Sequence, residues 1–327
     1  MDLFKDKTIL ITGGTGSFGQ SFTEFIIKNY QAKKIIIFSR DEFKQFHMEK
    51  NIPDPENKLR FLLGDVRDKE RLNRALKDVN IVIHAAALKQ VPALEYNPHE
   101  AIKTNIIGSQ NIIEASIDQK VEKVLLISTD KAAQPVNLYG ATKLCAEKLF
   151  IAANNYSPNS TRFSAVRYGN VIGSRGSIIE SLLNNKPTKI NITHPNMTRF
   201  WITLKQSFNL VNFALENMIG GEIFIPKIPS MKLIDLTSSI APNVEYQVTG
   251  IRPGEKLHET LLSTEESRRG FELKDYYIIT PEKGLSIYDF SKYEKMGKSI
   301  NEGFHFSSNT NTNWITKKDL QKIIHEI

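Results

Sequence analysis

Residues 8–19 read Thr8-Ile9-Leu10-Ile11-Thr12-Gly13-Gly14-Thr15-Gly16-Ser17-Phe18-Gly19, and this stretch decides the fold. An apolar centre of three residues between threonines is the pattern of a short buried strand. Glycines 13, 16 and 19 follow at once, and the spacing of Phe22, Phe25 and Ile26 predicts a helix directly behind them. A strand, a glycine turn and a helix together present backbone N–H groups and a positive helix end to a pyrophosphate. The expected cofactor contacts are Gly13, Thr15, Gly16, Ser17, Phe18 and Gly19. An unliganded tight turn is the plainer alternative, because a glycine trio alone is weak evidence.

Further strands read at Lys34–Phe38, Leu59–Leu63, Val79–His84, Val124–Ile127 and Phe163–Arg167, with helical patterns between them. That alternation predicts an α/β fold: a doubly wound, parallel, Rossmann-type sheet with its ligand at the strands' C-terminal ends. A long helix is expected from Pro98 towards Ser116. Beyond Asn170 the regularity fades into basic loops, around Gly173–Ser177, Met197–Trp201 and Gly250–Lys256. Leu204–Met218 reads as a helix and Glu222–Ile225 as a strand returning to the sheet. The chain therefore divides into a cofactor-binding domain, 1–169 with a return around 203–226, and a smaller, discontinuous, interdigitated substrate domain, 170–327. Ser307–Asn313 is expected as a loop before a last helix, Lys317–His325.

The tips of the strands carry the chemistry. Strand 34–38 ends in Ser39-Arg40-Asp41-Glu42. An acid directly at that tip would bind both ribose hydroxyls of NAD, whereas Ser39 and the Arg40 guanidinium suit a 2′-phosphate, so the cofactor is expected to be NADP. In the alternative, Arg40 is solvated and Asp41 turns inward to the ribose. Asp65 is placed to accept from the adenine amino group beside Val66, and Asp68 to cap a helix. Ala85 and Ala86 let backbone approach a flat cofactor, and Lys89 follows in a loop at the same edge. His84 reads as a satisfied strand-end histidine, because no second His or Cys stands at a metal-ligand spacing; no metal is expected. After Val124–Ile127 come Ser128-Thr129-Asp130-Lys131, then Tyr139 and Lys143 four apart on one helix face. A cation beside a phenol favours the phenolate and makes Tyr139 a usable base. For Asp130 and Lys131 the plain alternative is a surface ion pair.

The totals fit this reading. The 327 residues carry a net charge of +7, which suits an anionic ligand; no Lys/Arg run interleaved with aromatics points to nucleic acid. The lone Cys145 excludes an internal disulfide and is expected as a small buried hydrophobe. The polar start Met1–Lys7 is unlike a signal peptide, and no apolar run approaches the roughly 18 residues of a membrane helix, so a soluble, cytoplasmic protein is expected.

Thr12–Gly19 with Tyr139-Gly140-Ala141-Thr142-Lys143 resembles the extended short-chain dehydrogenase/reductase superfamily. Ser128–Ala133, Arg167-Tyr168-Gly169-Asn170, Met197–Trp201 and Arg252-Pro253-Gly254-Glu255-Lys256 narrow the resemblance to its UDP-N-acetylglucosamine 4,6-dehydratases, the C5-inverting branch that begins pseudaminic acid synthesis. The likeness spans nearly the whole chain, with the motifs in order. It implies that Tyr139, with Lys143 and Thr129, takes the C4 hydroxyl proton; that Lys131, its pKa lowered by neighbouring cations and burial, takes the C5 proton; and that a protonated Asp130 serves the leaving C6 hydroxyl. The resemblance further implies that NADP is transiently reduced and reoxidised, and that UDP-N-acetylglucosamine is held by Lys89, Asn170, Arg175, Met197, Arg199, Arg252 and Glu255. A homo-oligomer, dimer or hexamer, is implied as well. Glucose-type dehydratases carry Asp-Glu where this chain has Asp130-Lys131, and membrane-bound retaining relatives, with some soluble inverting ones, typically have Met where Tyr139 stands. The rivals are a UDP-hexose 4-epimerase, which needs no acid–base pair for C5 and C6, and a non-catalytic NADP-binding sensor or scaffold, which can dispense with Tyr139 and Lys143.

Overall fold

A computed structural model describes residues 2–325 apart from 159, 174–177, 186, 188 and 243. Six strands, β1 (Thr8–Thr12), β2 (Lys34–Ser39), β3 (Leu59–Leu63), β4 (Ile81–His84), β5 (Lys123–Ile127) and β6 (Arg162–Val166), pair in parallel in the order β3-β2-β1-β4-β5-β6. Only helical crossovers can return the chain to start each parallel strand at the same end. The order reverses between β1 and β4, so a crevice opens above their C-terminal ends, where a doubly wound fold binds its ligand. Every residue of β1 is buried, as expected for a central strand covered on both faces.

The strand Ile223–Pro226 joins β6 in parallel, as its apolar pattern predicts. Three segments the pattern leaves unassigned extend the same sheet antiparallel beyond it: Tyr276–Ile279, Gly270–Glu272 and Lys298–Ser299. They are short and mixed in composition, so their pairing is set by the exposed edge of Ile223–Pro226 rather than by a local signal. A second, smaller apolar cluster gathers Ile172, Ile179, Ile190, Trp201, Leu236 and Leu320 outside the main core. Lys317–His325 is helical, and Ser307 pairs with Thr260 in a short antiparallel ladder at the start of the expected loop.

The helix over 98–118 is continuous but contains a π-helical turn, Ile102–Ile107, which its apolar spacing does not announce. Cys145 is exposed, contrary to expectation. The helix Leu138–Ala153 turns Thr142, Lys143, Ala146, Glu147 and Phe150 inward, which leaves position 145 on the solvent face. No helix among the described residues is long and apolar enough to cross a membrane.

Candidate active site

A cleft of about 1160 Å³ runs along the C-terminal edge of the sheet, from the glycine loop to the second lobe. Gly13, with φ +64°, makes the first turn; a Cβ there would stand 2.9 Å from the backbone of Ala86, so glycine loop and alanine wall are packed against one another. Thr15, Gly16, Ser17, Phe18 and Gly19 line the cleft beside the start of the helix Ser17–Asn29. Ala85 and Ala86 form the facing wall. That wall is fixed by a buried relay. Thr12 Oγ1 meets His84 Nδ1 at 2.7 Å and accepts from the Ala86 N–H at 3.2 Å, while Ser109 Oγ lies 3.2 Å from His84 Nε2 and donates to the Asn105 carbonyl. His84 is thus the satisfied strand-end histidine expected, and burial, with Lys143 nearby, lowers its pKa to about 3.

At the tip of β2, Ser39, Arg40, Asp41 and Lys44 line the cleft. Asp41 caps the helix Glu42–Asn51 by accepting from the Lys44 N–H at 3.0 Å and pairs with Lys44 Nζ at 2.9 Å. Asp41 and its partner Lys44 thus stand together on the cleft beside Arg40. Asp65 and Val66 also line the cleft. Asp65 is paired with Arg67 at 2.7 Å and Arg40 at 3.4 Å; partial burial opposes ionisation, but these partners hold its carboxyl below the usual range. Asp68 caps the helix Lys69–Ala75, as expected.

The catalytic candidates converge where β5 ends. Thr129, Lys131, Tyr139 and Lys143 line the cleft and Asp130 is buried behind them. Asn137 starts the Tyr139 helix by accepting from the Gly140 N–H. Gly140 has a steric reason: a Cβ there would overlap the Lys131 carbonyl oxygen, so glycine brings the Tyr139 helix against the Asp130–Ala132 turn. Asp130 Oδ1 accepts from Thr129 Oγ1 and from Lys131 Nζ, each at 2.9 Å, and Asp130 Oδ2 has no hydrogen-bond partner.

Two electrostatic expectations are corrected here. Burial raises the Tyr139 pKa, and this outweighs the Lys131 cation and the Thr129 hydrogen bond, which both lower it. Lys131 is not lowered either; although burial works that way, the carboxylates of Asp130 and Glu259 raise its pKa. The expected cations are present in Arg199 and Lys256, but the two carboxylates outweigh them and decide the sign. Lys143 is lowered to about 8 by burial, with Glu147, one turn along, opposing.

Of the expected substrate contacts, Lys89, Asn170, Arg199 and Glu255 line the cleft. Met197 does not; it is 1 % exposed, and its sulfur packs against Arg199 Nη2 at 3.2 Å, so it supports the arginine from behind. Arg252 is exposed and its side chain is not on the cleft wall, although its loop docks through the Gly254 carbonyl on Asn137 Nδ2 at 2.7 Å. Arg175 lies outside the described residues.

Sequence reasoning missed several contributors. Lys44 carried a usable signal, one turn after Arg40 on a helix. Asn105 sits in the π-helical turn, holds both the N–H and the C=O of Leu88, and donates to Thr142 Oγ1, which ties the Lys89 loop to the Tyr139 helix. Arg167 is fully buried and pairs with Glu147 at 2.6 Å and Glu266 at 2.9 Å, fastening the far segment to the same helix. Glu259, which enters only through the fold, is taken up below.

A family model described as polysaccharide biosynthesis protein matches residues 9–281. The chain is 50 % identical over 331 aligned residues to the UDP-N-acetylglucosamine 4,6-dehydratase (inverting) of Campylobacter jejuni subsp. jejuni, covering 99 % of this chain and 98 % of that one. It is 43 % identical to the UDP-glucose 4-epimerase of Rickettsia conorii, over 89 % of this chain and 87 % of the other. Among solved structures, Pen from Bacillus thuringiensis superposes with a TM-score of 0.89 at 38 % identity, covering 99 % of this chain and all of the other.

Proposed function

This chain belongs to the polysaccharide biosynthesis protein family, and from that premise we propose that it is a hydro-lyase acting on UDP-N-acetylglucosamine, removing water across C5 and C6 with inversion at C5. The observation that carries the reading is the Asp130–Lys131 pair, 2.9 Å apart beside Tyr139. Simple C4 chemistry needs Tyr139 and Lys143 alone; a buried acid and a base next to them fit proton removal at C5 and departure of the C6 hydroxyl.

NADP fits the cleft. The Gly13 turn would be filled by any Cβ, and Ser39, Arg40 and Lys44 gather at the tip of β2 where a 2′-phosphate belongs. When bound, the cofactor supplies two-electron oxidation at C4 and the matching reduction at C6. The chain's own residues handle the protons. Tyr139, hydrogen-bonded by Thr129 and raised by burial, must first give up its own phenolic proton to solvent, and as the phenolate it accepts the C4 hydroxyl proton. In the resting site Lys131 is an ammonium against Asp130. A proton shift across their 2.9 Å contact makes Lys131 a neutral base and Asp130 a neutral acid in one step. Lys131 then takes the C5 proton and Asp130 gives its proton to the C6 hydroxyl as water leaves, which returns both to their starting forms. A proton delivered to C5 on the face opposite Lys131, equal to the one Tyr139 took from C4, completes the inversion. Lys89 from the loop after β4, and Asn170, Arg199 and Glu255 from the opposite side of the cleft, hold the nucleotide sugar. On this reading the protein is a cytoplasmic homo-oligomer and its product enters pseudaminic acid synthesis.

The test is incubation of purified protein with UDP-N-acetylglucosamine, mass spectrometry for loss of one water, and proton NMR in D₂O for exchange and configuration at C5. Lys131→Ala should abolish water loss while leaving NADP binding in place; full turnover by that variant would overturn the assignment. The likeness to UDP-glucose 4-epimerase favours a second reading, in which the same assay yields a C4 epimer of unchanged mass.

A further inference from the structure

Behind Lys131 lies a carboxylate that the proton transfers above do not use. Glu259 is 3 % exposed and is not on the cleft wall. Its backbone is locked in place: the Glu259 N–H donates to Ser308 Oγ at 3.0 Å, and its carbonyl accepts from the Ser308 N–H at 2.8 Å and Ser307 Oγ at 3.1 Å. Glu259 Oε1 lies 3.6 Å from Lys131 Nζ and 3.7 Å from Arg199 Nε. Glu259 Oε2, 4.0 Å from Lys256 Nζ, has no hydrogen-bond partner. Asp130 faces the same cluster, Glu255 lies 3.7 Å from Arg199 Nη2, and Tyr139, His258 and, beyond Lys256, Arg167 are further titratable groups around these side chains.

A buried carboxylate is costly unless cations compensate it, and here Lys131, Arg199 and Lys256 stand within 4.0 Å. One of the three is the expected C5 base and another the arginine on the substrate side. We propose that Glu259 is a positioning residue for proton abstraction: its carboxylate holds the Lys131 ammonium and the Arg199 guanidinium on one wall of the cleft, so that the base and the group gripping the substrate share an anchor. The inference rests on the dehydratase reading and deepens it. Positive charge grows on Lys131 as it takes the C5 proton, and an anion 3.6 Å away stabilises that charge. The same anion makes the neutral amine scarcer at low pH. Removing it should therefore make the Lys131 amine more reactive towards a small electrophile and yet lower kcat, a pairing that loss of packing does not produce.

Glu259→Gln keeps the shape and removes the charge. The first measurement needs no turnover: competitive acetylation of the holoenzyme with acetic anhydride at pH 9, read at Lys131 by mass spectrometry. The Gln variant should label about threefold faster or more, because more of the amine is neutral. Its kcat should fall several-fold, and KM for UDP-N-acetylglucosamine should rise several-fold as Arg199 loses its anchor. Glu259→Asp should recover part of each change. Unchanged Lys131 labelling in a folded Gln variant overturns the inference. If the Gln variant does not fold, labelling of the Asp variant decides in the same way, with a smaller increase expected. A wild-type protein that leaves UDP-N-acetylglucosamine untouched defeats the dehydratase reading, while the labelling result still decides whether Glu259 governs Lys131.

Discussion

Acid should loosen this protein through His84 before it reaches most of its carboxylates. The ring is fully buried, and its two contacts fix a neutral form. Ser109 spends its proton on the Asn105 carbonyl and so accepts from His84 Nε2–H, which leaves Nδ1 to accept from Thr12. Burial, with Lys143 adding repulsion, depresses the folded pKa from 6.5 to about 3. The unfolded chain therefore binds the proton more tightly. The stabilisation is present above pH 6.5 and is lost as pH falls from there towards 3. Between pH 7 and pH 5 the loss is about 1.5 pH units of linkage, or about 2 kcal/mol. Urea unfolding at the two pH values measures the difference. His84→Asn, which keeps an acceptor towards Thr12, should start less stable at pH 7 yet lose about 2 kcal/mol less than the wild type on going to pH 5. An NMR titration in which folded His84 protonates with a midpoint above about 5 would refute the reasoning, as would equal slopes in the two proteins.

Other perturbations reach the cleft and its supports. If the cofactor is NADP as proposed, Arg40→Ala combined with Lys44→Ala should weaken its binding about tenfold or more with little change for NAD, measured by calorimetry, since both side chains line the cleft at the tip of β2. Gly13→Ala forces a side chain onto φ +64° and within 2.9 Å of the Ala86 backbone; about 1–3 kcal/mol of stability and most cofactor affinity should go, seen by urea unfolding and fluorescence titration. Arg167→Ala leaves Glu147 and Glu266 without their cation in the interior and should cost about 3–5 kcal/mol, whereas a loss under about 1 kcal/mol would mean that the network is not coupled to folding.

The parallel sheet was legible because most of its strands are apolar runs ending in small or glycine residues, β6 with Arg167 behind it being the exception, and because helical patterns lie between them. Asp68 as a cap and His84 as a satisfied strand-end residue were legible for the same local reason. The short strands Gly270–Glu272 and Lys298–Ser299 were not, since their pairing depends on an edge formed far away in sequence. Cys145 was misjudged because helix periodicity gives a face only once the inward residues are known, and Phe150, Glu147 and Lys143 fix that face. Met197 and Arg252 belong to motifs whose spacing is plain, but spacing does not say which side chain of a loop meets a cavity.

By itself the chain's sequence determined the glycine-lined turn at 13–19, the order of the central strands, and the set of groups able to move protons at the end of β5. These are encoded locally, in periodicity, in backbone freedom and in residues a few positions apart. The tertiary structure alone decided the charge states of those groups. Burial would lower Lys131, but Asp130 at 2.9 Å and then Glu259, 128 positions further along the chain and folded to within 3.6 Å, raise it instead, and Tyr139 is raised because burial outweighs its cation. A pKa answers to distance and dielectric, and neither exists until the chain has closed around the site.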